Sequence, residues 1–142
     1  MFKKKTSQLL QSQKISFNSV LGAGCVIHGK LEVDGNYHVV GQVFGDIAQI
    51  DSSRGILWID KVAYIRGNII CGDLVLAGRL EGNVVSSGVV EICSSAIIIG
   101  DIQSERLHVN SNARINGRLS CFNSNDIEDV IKTMPLNSNL EN

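Results

Sequence analysis

Aliphatic residues alternate with variable ones along most of this chain, and six times the alternation is centred on a glycine, in IHGKL, VFGDI, IRGNI, LEGNV, IIGDI and INGRL. The glycines are Gly29, Gly45, Gly67, Gly82, Gly100 and Gly117, at spacings of 16, 22, 15, 18 and 17 residues. Two positions before them stand Ile27, Val43, Ile65, Leu80, Ile98 and Ile115; two positions after stand Leu31, Ile47, Ile69, Val84, Ile102 and Leu119. The residues immediately before the glycine (His28, Phe44, Arg66, Glu81, Ile99, Asn116) share no chemistry. A period of two with one invariantly aliphatic side is that of strands with one buried face, so the variable residues are expected to face solvent.

Four positions before each glycine the chain uses only small residues, Cys25, Gly41, Ala63, Gly78, Ala96 and Ala113, as a tight inward corner requires. Upstream of most corners lies a second alternating segment, such as Leu57 and Ile59 or Val90 and Ile92. Each unit therefore reads as strand, corner, strand, glycine turn, short strand. Spacing of two, Val and Ile enrichment and recurrent glycine argue against helix. One unit of about 17 residues cannot bury its apolar side alone, whereas stacked units bury a continuous core. The pattern predicts an all-β, single-domain parallel β-helix of about six coils over residues 17–122, a rod on the order of 30 Å long.

Composition agrees with an aliphatic solenoid: of 142 residues 44% are hydrophobic but only 5% aromatic. The single proline, Pro135, lies outside the repeats, where no ladder hydrogen bond is lost. Residues 1–16 and 123–142 also fall outside, are rich in Ser, Asn, Gln and Lys, and are expected to be flexible tails. A short run near the C-terminus, DIEDVIK, places Ile127, Val130 and Ile131 on one helical face but is too short to hold a helix alone.

Charge narrows the partners. Between the tails, eight Lys and Arg stand against ten Asp and Glu, so the folded part lacks the basic surplus of a nucleic-acid binder. The N-terminal tail has Lys3, Lys4, Lys5 and Lys14 and no acid. Met1 and Phe2 ahead of Lys3, Lys4 and Lys5 suit a surface anchor, the apolar pair entering a bilayer while the ammonium groups meet anionic lipid. Three lysines at roughly 1 kcal/mol each and roughly 2 kcal/mol for Phe2 sum to about 5 kcal/mol, too weak for a lone molecule but sufficient for a polymer with many linked contacts. The chain has no apolar stretch of the ~18 residues that span a bilayer and no signal-peptide core, so a cytoplasmic location is expected.

No catalytic constellation emerges. Cys25, Cys71, Cys93 and Cys121 have no CxxC spacing and read as reduced packing residues. His28, His38 and His108 fall at outward strand positions. Asp46, Asn68, Asn83 and Asp101 follow the repeat glycines and can stack in a column, but Asx residues after glycine are ordinary turn formers, and Lys30 and Arg118 share the column. Walker, dinucleotide and nucleophile-elbow motifs are absent, so no cofactor, metal or nucleotide is expected.

The run from VVGQVFGDI through YIRGNIICGDLVLAGRLEGNVVSSGVVEICSSAIIIGDI to INGRLSCF resembles the bactofilins, as does the MFKKK start. The likeness covers residues 17–122 and includes the alternation of GxxxG units (Gly41/Gly45, Gly78/Gly82) with alanine-containing ones. It implies a right-handed β-helix and a bacterial cytoskeletal protein. Such proteins polymerise head to head and tail to tail without nucleotide, lie on the inner face of the membrane and position envelope-building or morphogenetic proteins. The 22-residue interval departs from the layout and predicts a protruding loop near Asp51–Gly55; the proline-rich tails common in the family are missing.

The ends of the solenoid support polymerisation on physical grounds. No polar cap is evident beyond Phe17, Val20 and Leu21 at one end or Ile115, Leu119 and Phe122 at the other, and uncapped apolar ends with free strand edges favour end-on stacking. The alternative is a non-polymerising β-helical adaptor that binds a protein partner and is capped by its own tails.

Overall fold

The computed structural model describes residues 19–50 and 55–122. The expected tails, and all of the expected Asp51–Gly55 loop but Gly55, lie outside the described residues. Eighteen short strands follow one another, three to a coil. The first coil is β1 (Ser19–Leu21), β2 (Val26–His28) and β3 (Leu31–Val33); the second is β4 (Tyr37–Val39), β5 (Gln42–Phe44) and β6 (Ile47–Gln49). The third and fourth are β7 (Ile56–Ile59), β8 (Tyr64–Arg66), β9 (Ile69–Cys71), and β10 (Asp73–Leu76), β11 (Arg79–Glu81), β12 (Val84–Ser86). The fifth and sixth are β13 (Val89–Ile92), β14 (Ile97–Ile99), β15 (Ile102–Ser104), and β16 (Arg106–Val109), β17 (Arg114–Asn116), β18 (Leu119–Cys121).

Each strand pairs in parallel with its counterpart one coil away, giving three six-stranded sheets around one core. Sheet 1 is β1-β4-β7-β10-β13-β16, sheet 2 is β2-β5-β8-β11-β14-β17, and sheet 3 is β3-β6-β9-β12-β15-β18. The structure is thus the parallel β-solenoid of six turns that the repeat predicts. Register aligns the aliphatic positions into columns: Ile27, Val43, Ile65, Leu80, Ile98 and Ile115 run down the inside of sheet 2. Ile65, Ile69, Leu80 and Ile102 in the middle coils are fully buried.

The corner between sheets 1 and 2 takes two forms. Four coils turn through two extra residues closed by a backbone hydrogen bond, as in Ala63 N–H to Asp60 O (2.9 Å) and Ala96 N–H to Cys93 O (3.1 Å). The second and fourth coils omit those residues, and a Cβ on Gly41 or Gly78 would overlap carbonyl oxygens of the coil before. Alanine thus serves the wider corner and glycine the tighter one. At the glycine turns the constraint is stricter still: Gly100 has φ +147°, and a Cβ there would collide with the carbonyl of Gly82.

The column after the glycines is a hydrogen-bond ladder between coils. Asn68 N–H donates to Asp46 Oδ1, Asn83 N–H to Asn68 Oδ1, Asp101 N–H to Asn83 Oδ1 and Arg118 N–H to Asp101 Oδ1, each at 2.9 Å. These side chains satisfy turn amides of the next coil, the structural role the sequence assigns them. A second polar series lies inside the third corner. Gln49 Nε2 donates to Gly35 O (3.1 Å) while its Oε1 accepts from Gly72 N–H (2.8 Å), and buried Ser86 and Ser104 bond backbone carbonyls. No buried side-chain polar atom among the described residues lacks a partner.

Candidate functional site

The chemistry-bearing feature of this solenoid is where its core stops. At the N-terminal end the inward residues are Leu21, Ile27, Leu31 and Val33; at the C-terminal end they are Leu107, Val109, Ile115, Leu119 and Cys121. All continue columns that are buried in the middle coils. With no coil beyond them among the described residues, Val109 is 42% and Leu119 37% exposed, whereas Ile102, the column neighbour of Leu119, is fully buried. The strands of the terminal coils each have one ladder neighbour, so one edge of each is left without a strand partner among the described residues. Two flat apolar ends rimmed by free backbone donors and acceptors can bury surface only against another such end or a cap.

The residues expected at the ends divide. Leu21, Ile115 and Leu119 lie in the terminal core columns. Phe122 follows β18, is half-buried, and donates its N–H to Ser104 O (3.1 Å). Val20 instead lies on the outside of sheet 1, in register with His38 and 52% exposed, because it alternates with the inward Leu21. Phe17 and the anchor residues Met1, Phe2, Lys3, Lys4 and Lys5 lie outside the described residues. Ile27, Leu31, Leu107 and Val109 were not singled out as end residues by sequence, although their membership of the inward columns marked them as the last of their kind.

The histidines occupy outward positions, but not equally. His38 is half-buried: its ring stacks on Trp58 at 3.7 Å between centroids and 6° between planes, and its Nε2 is 2.9 Å from Asp60 Oδ2. This pair fastens the second coil to the third on sheet 1. On sheet 2, His28 stacks on Phe44 (5.3 Å), which meets Tyr64 edge-on (5.6 Å), and the Arg79 guanidinium lies 5.6 Å from the Tyr64 ring. Glu81 receives Arg79 at 2.8 Å and Arg66 at 3.8 Å.

Thiol chemistry is suppressed in the interior. Burial, reinforced by Asp73, pushes the Cys71 thiol far up from its ordinary value; burial and then Glu91 push Cys93 up to about 11. Cys25 and Cys121 are exposed, and all four cysteines are free thiols.

Comparison with known proteins agrees with these features. The bactofilin family model, described as polymer-forming cytoskeletal, matches residues 19–120. Bactofilin BacO of Myxococcus xanthus is 28% identical over 102 residues, covering 72% of this chain and 78% of BacO. BacP of the same organism is 25% identical over 114 residues, covering 80% of this chain but 46% of BacP. Among solved structures, a Thermus thermophilus bactofilin reconstructed by cryo-EM as double helical filaments superposes with a TM-score of 0.62 at 16% identity, over 72% of this chain and 98% of the other. The solid-state NMR structure of the cytoskeletal bactofilin BacA gives 0.61 at 24% identity, over 74% and 96%.

Proposed function

Because the chain belongs to the bactofilin family of polymer-forming cytoskeletal proteins, we propose that it is a scaffold that assembles end to end into filaments without nucleotide. The filaments lie on the inner face of the cytoplasmic membrane, held there by Met1, Phe2, Lys3, Lys4 and Lys5, and position an envelope-building or morphogenetic protein. The observation that carries this reading is the pair of ends left without a cap among the described residues. Three columns buried in the middle coils, one on each sheet, reach both ends still aliphatic, and a second subunit would restore to Leu21, Ile27, Leu31, Ile115 and Leu119 the burial that their column neighbours have. The filaments named for the Thermus thermophilus relative of the same fold support self-association as the route to that burial.

Polymerisation draws on the same physics as folding. Parallel strands stacked about 4.8 Å apart form one ladder after another, and an end contact pairs the free edge strands of two subunits. A nucleotide has no role in that step.

Negative-stain electron microscopy of the purified protein in nucleotide-free buffer, over a dilution series and at two salt concentrations, tests the reading. Long uniform filaments are expected. Particles of one small size at every concentration would overturn it in favour of the capped adaptor.

A further inference from the structure

A polymer held to a membrane by tails still has three lateral sheets, and only one of them can face the lipid. The 18 residues ahead of Ser19 reach at most about 60 Å when extended, so the anchor serves any of the three and does not choose among them. The outward residues do differ. Sheet 1 presents Asp73 and Glu91 against Arg106; sheet 3 presents Glu32, ion-paired at 3.4 Å with Lys30 just ahead of its strand. Sheet 2 presents Arg66, Arg79 and Arg114 against Glu81 alone. It is the one sheet with a net positive outer surface.

Sheet 2 also carries what an interfacial surface needs besides charge. His28, Phe44 and Tyr64 form a continuous aromatic row across three coils. Ile99 is 43% exposed, beside the half-buried Ile97 on the same strand. Arg66 and Arg79 keep 61% and 49% of their side chains accessible despite their contacts with Glu81. Aromatic rings at the headgroup level, with arginines reaching phosphates from apolar stems, are the side-chain chemistry of the membrane–water interface. Six coils give each subunit a face roughly 24 Å long, flat enough to lie along a bilayer.

Resting on the membrane reading above, we infer that the outer face of sheet 2 is the surface this polymer lays against anionic lipid, with Arg66, Arg79 and Arg114 on headgroup phosphates and Phe44, Tyr64 and Ile99 at the acyl boundary. Sheets 1 and 3 then face the cytoplasm and remain open to protein partners.

The chain's single tryptophan, Trp58, sits on sheet 1 and is a built-in reporter of the opposite choice. Filaments of the full chain, native and Ile99→Trp, are mixed with vesicles of phosphatidylglycerol and phosphatidylcholine containing brominated acyl chains, and with phosphatidylcholine vesicles alone. Both proteins are expected to float with the anionic vesicles in a density gradient; bromine should quench most of the emission added by Ile99→Trp while leaving Trp58 nearly unchanged. Arg66→Gln with Arg79→Gln should weaken flotation by about fivefold per arginine per subunit, the factor that roughly 1 kcal/mol per charge represents. Flotation with Ile99→Trp unquenched, with Trp58 the more strongly quenched, or with affinity untouched in the arginine variant would overturn the face and leave the tail anchor standing. An acidic protein would then be the better occupant of sheet 2. Failure of the native filaments to float with any vesicle would overturn the membrane reading and this inference together.

Discussion

Replacing Leu119 with arginine isolates the end contact from the fold. In the free chain Leu119 keeps 37% of its surface in water, so a guanidinium at that position can point outward and stay hydrated. The part of Leu119 already packed on Ile102 is worth about 1–2 kcal/mol to the fold, so the melting temperature should fall by several degrees while the chain stays folded. In the proposed end contact the same position becomes core. The leucine gains roughly 0.5–1 kcal/mol from losing its remaining exposure, about a third of the value of full burial. An arginine there loses its hydration, and an unpaired buried charge costs about 3–5 kcal/mol. At 1.4 kcal/mol per decade, the concentration needed for assembly should rise by roughly 100-fold or more. Ultracentrifugal pelleting across a concentration series reads that threshold, circular dichroism melting reads the fold, and electron microscopy identifies what pellets. A variant that is folded at the assay temperature and forms filaments at the native threshold would refute the end contact.

The remaining predictions probe the coil, the thiols and the anchor. Gly100→Ala should lower stability by about 2 kcal/mol or more, because φ of +147° is unfavourable for alanine and its methyl meets the Gly82 carbonyl; urea denaturation measures this, and native stability would refute the steric account. Maleimide at neutral pH should label Cys25 and Cys121 rapidly and spare Cys71 and Cys93, as mass spectrometry would report, with Cys121 becoming protected on polymerisation if its end is the contact. For Cys71 and Cys93 the folded-state thiol is raised, so their stabilising protonation is complete below the ordinary thiol range and lost as pH climbs above it; stability to urea should therefore fall from about pH 9 upward, Cys93 titrating at about 11. Deletion of residues 2–5 should leave filaments intact but weaken their flotation with anionic vesicles, and unchanged flotation would reject the anchor.

The fold was legible because it is written locally. Strand alternation has a period of two fixed by backbone geometry, so Ile65, Leu80 and Ile98 declare themselves inward without reference to any other coil. The small corner residues were equally visible, since a Cβ too many at Gly41 or Gly78 meets backbone directly. Val20 shows the limit. Its place beside Leu21 in the first coil marks it as an end residue in sequence, yet neighbours on one strand point to opposite sides, and Val20 is lateral.

By itself, then, the sequence determined the strands, the turns, the buried columns and the family to which they belong. The tertiary structure alone decided which outward residues meet. Units of 15 to 22 residues do not reveal their register until ladder hydrogen bonds and core packing align them. Only then do His38, Trp58 and Asp60 close into one cluster, do Asp46, Asn68, Asn83 and Asp101 become a ladder, and do the arginines gather on one face. Inward positions obey a local rule of alternation, whereas outward neighbours are set by contacts between residues a whole coil apart.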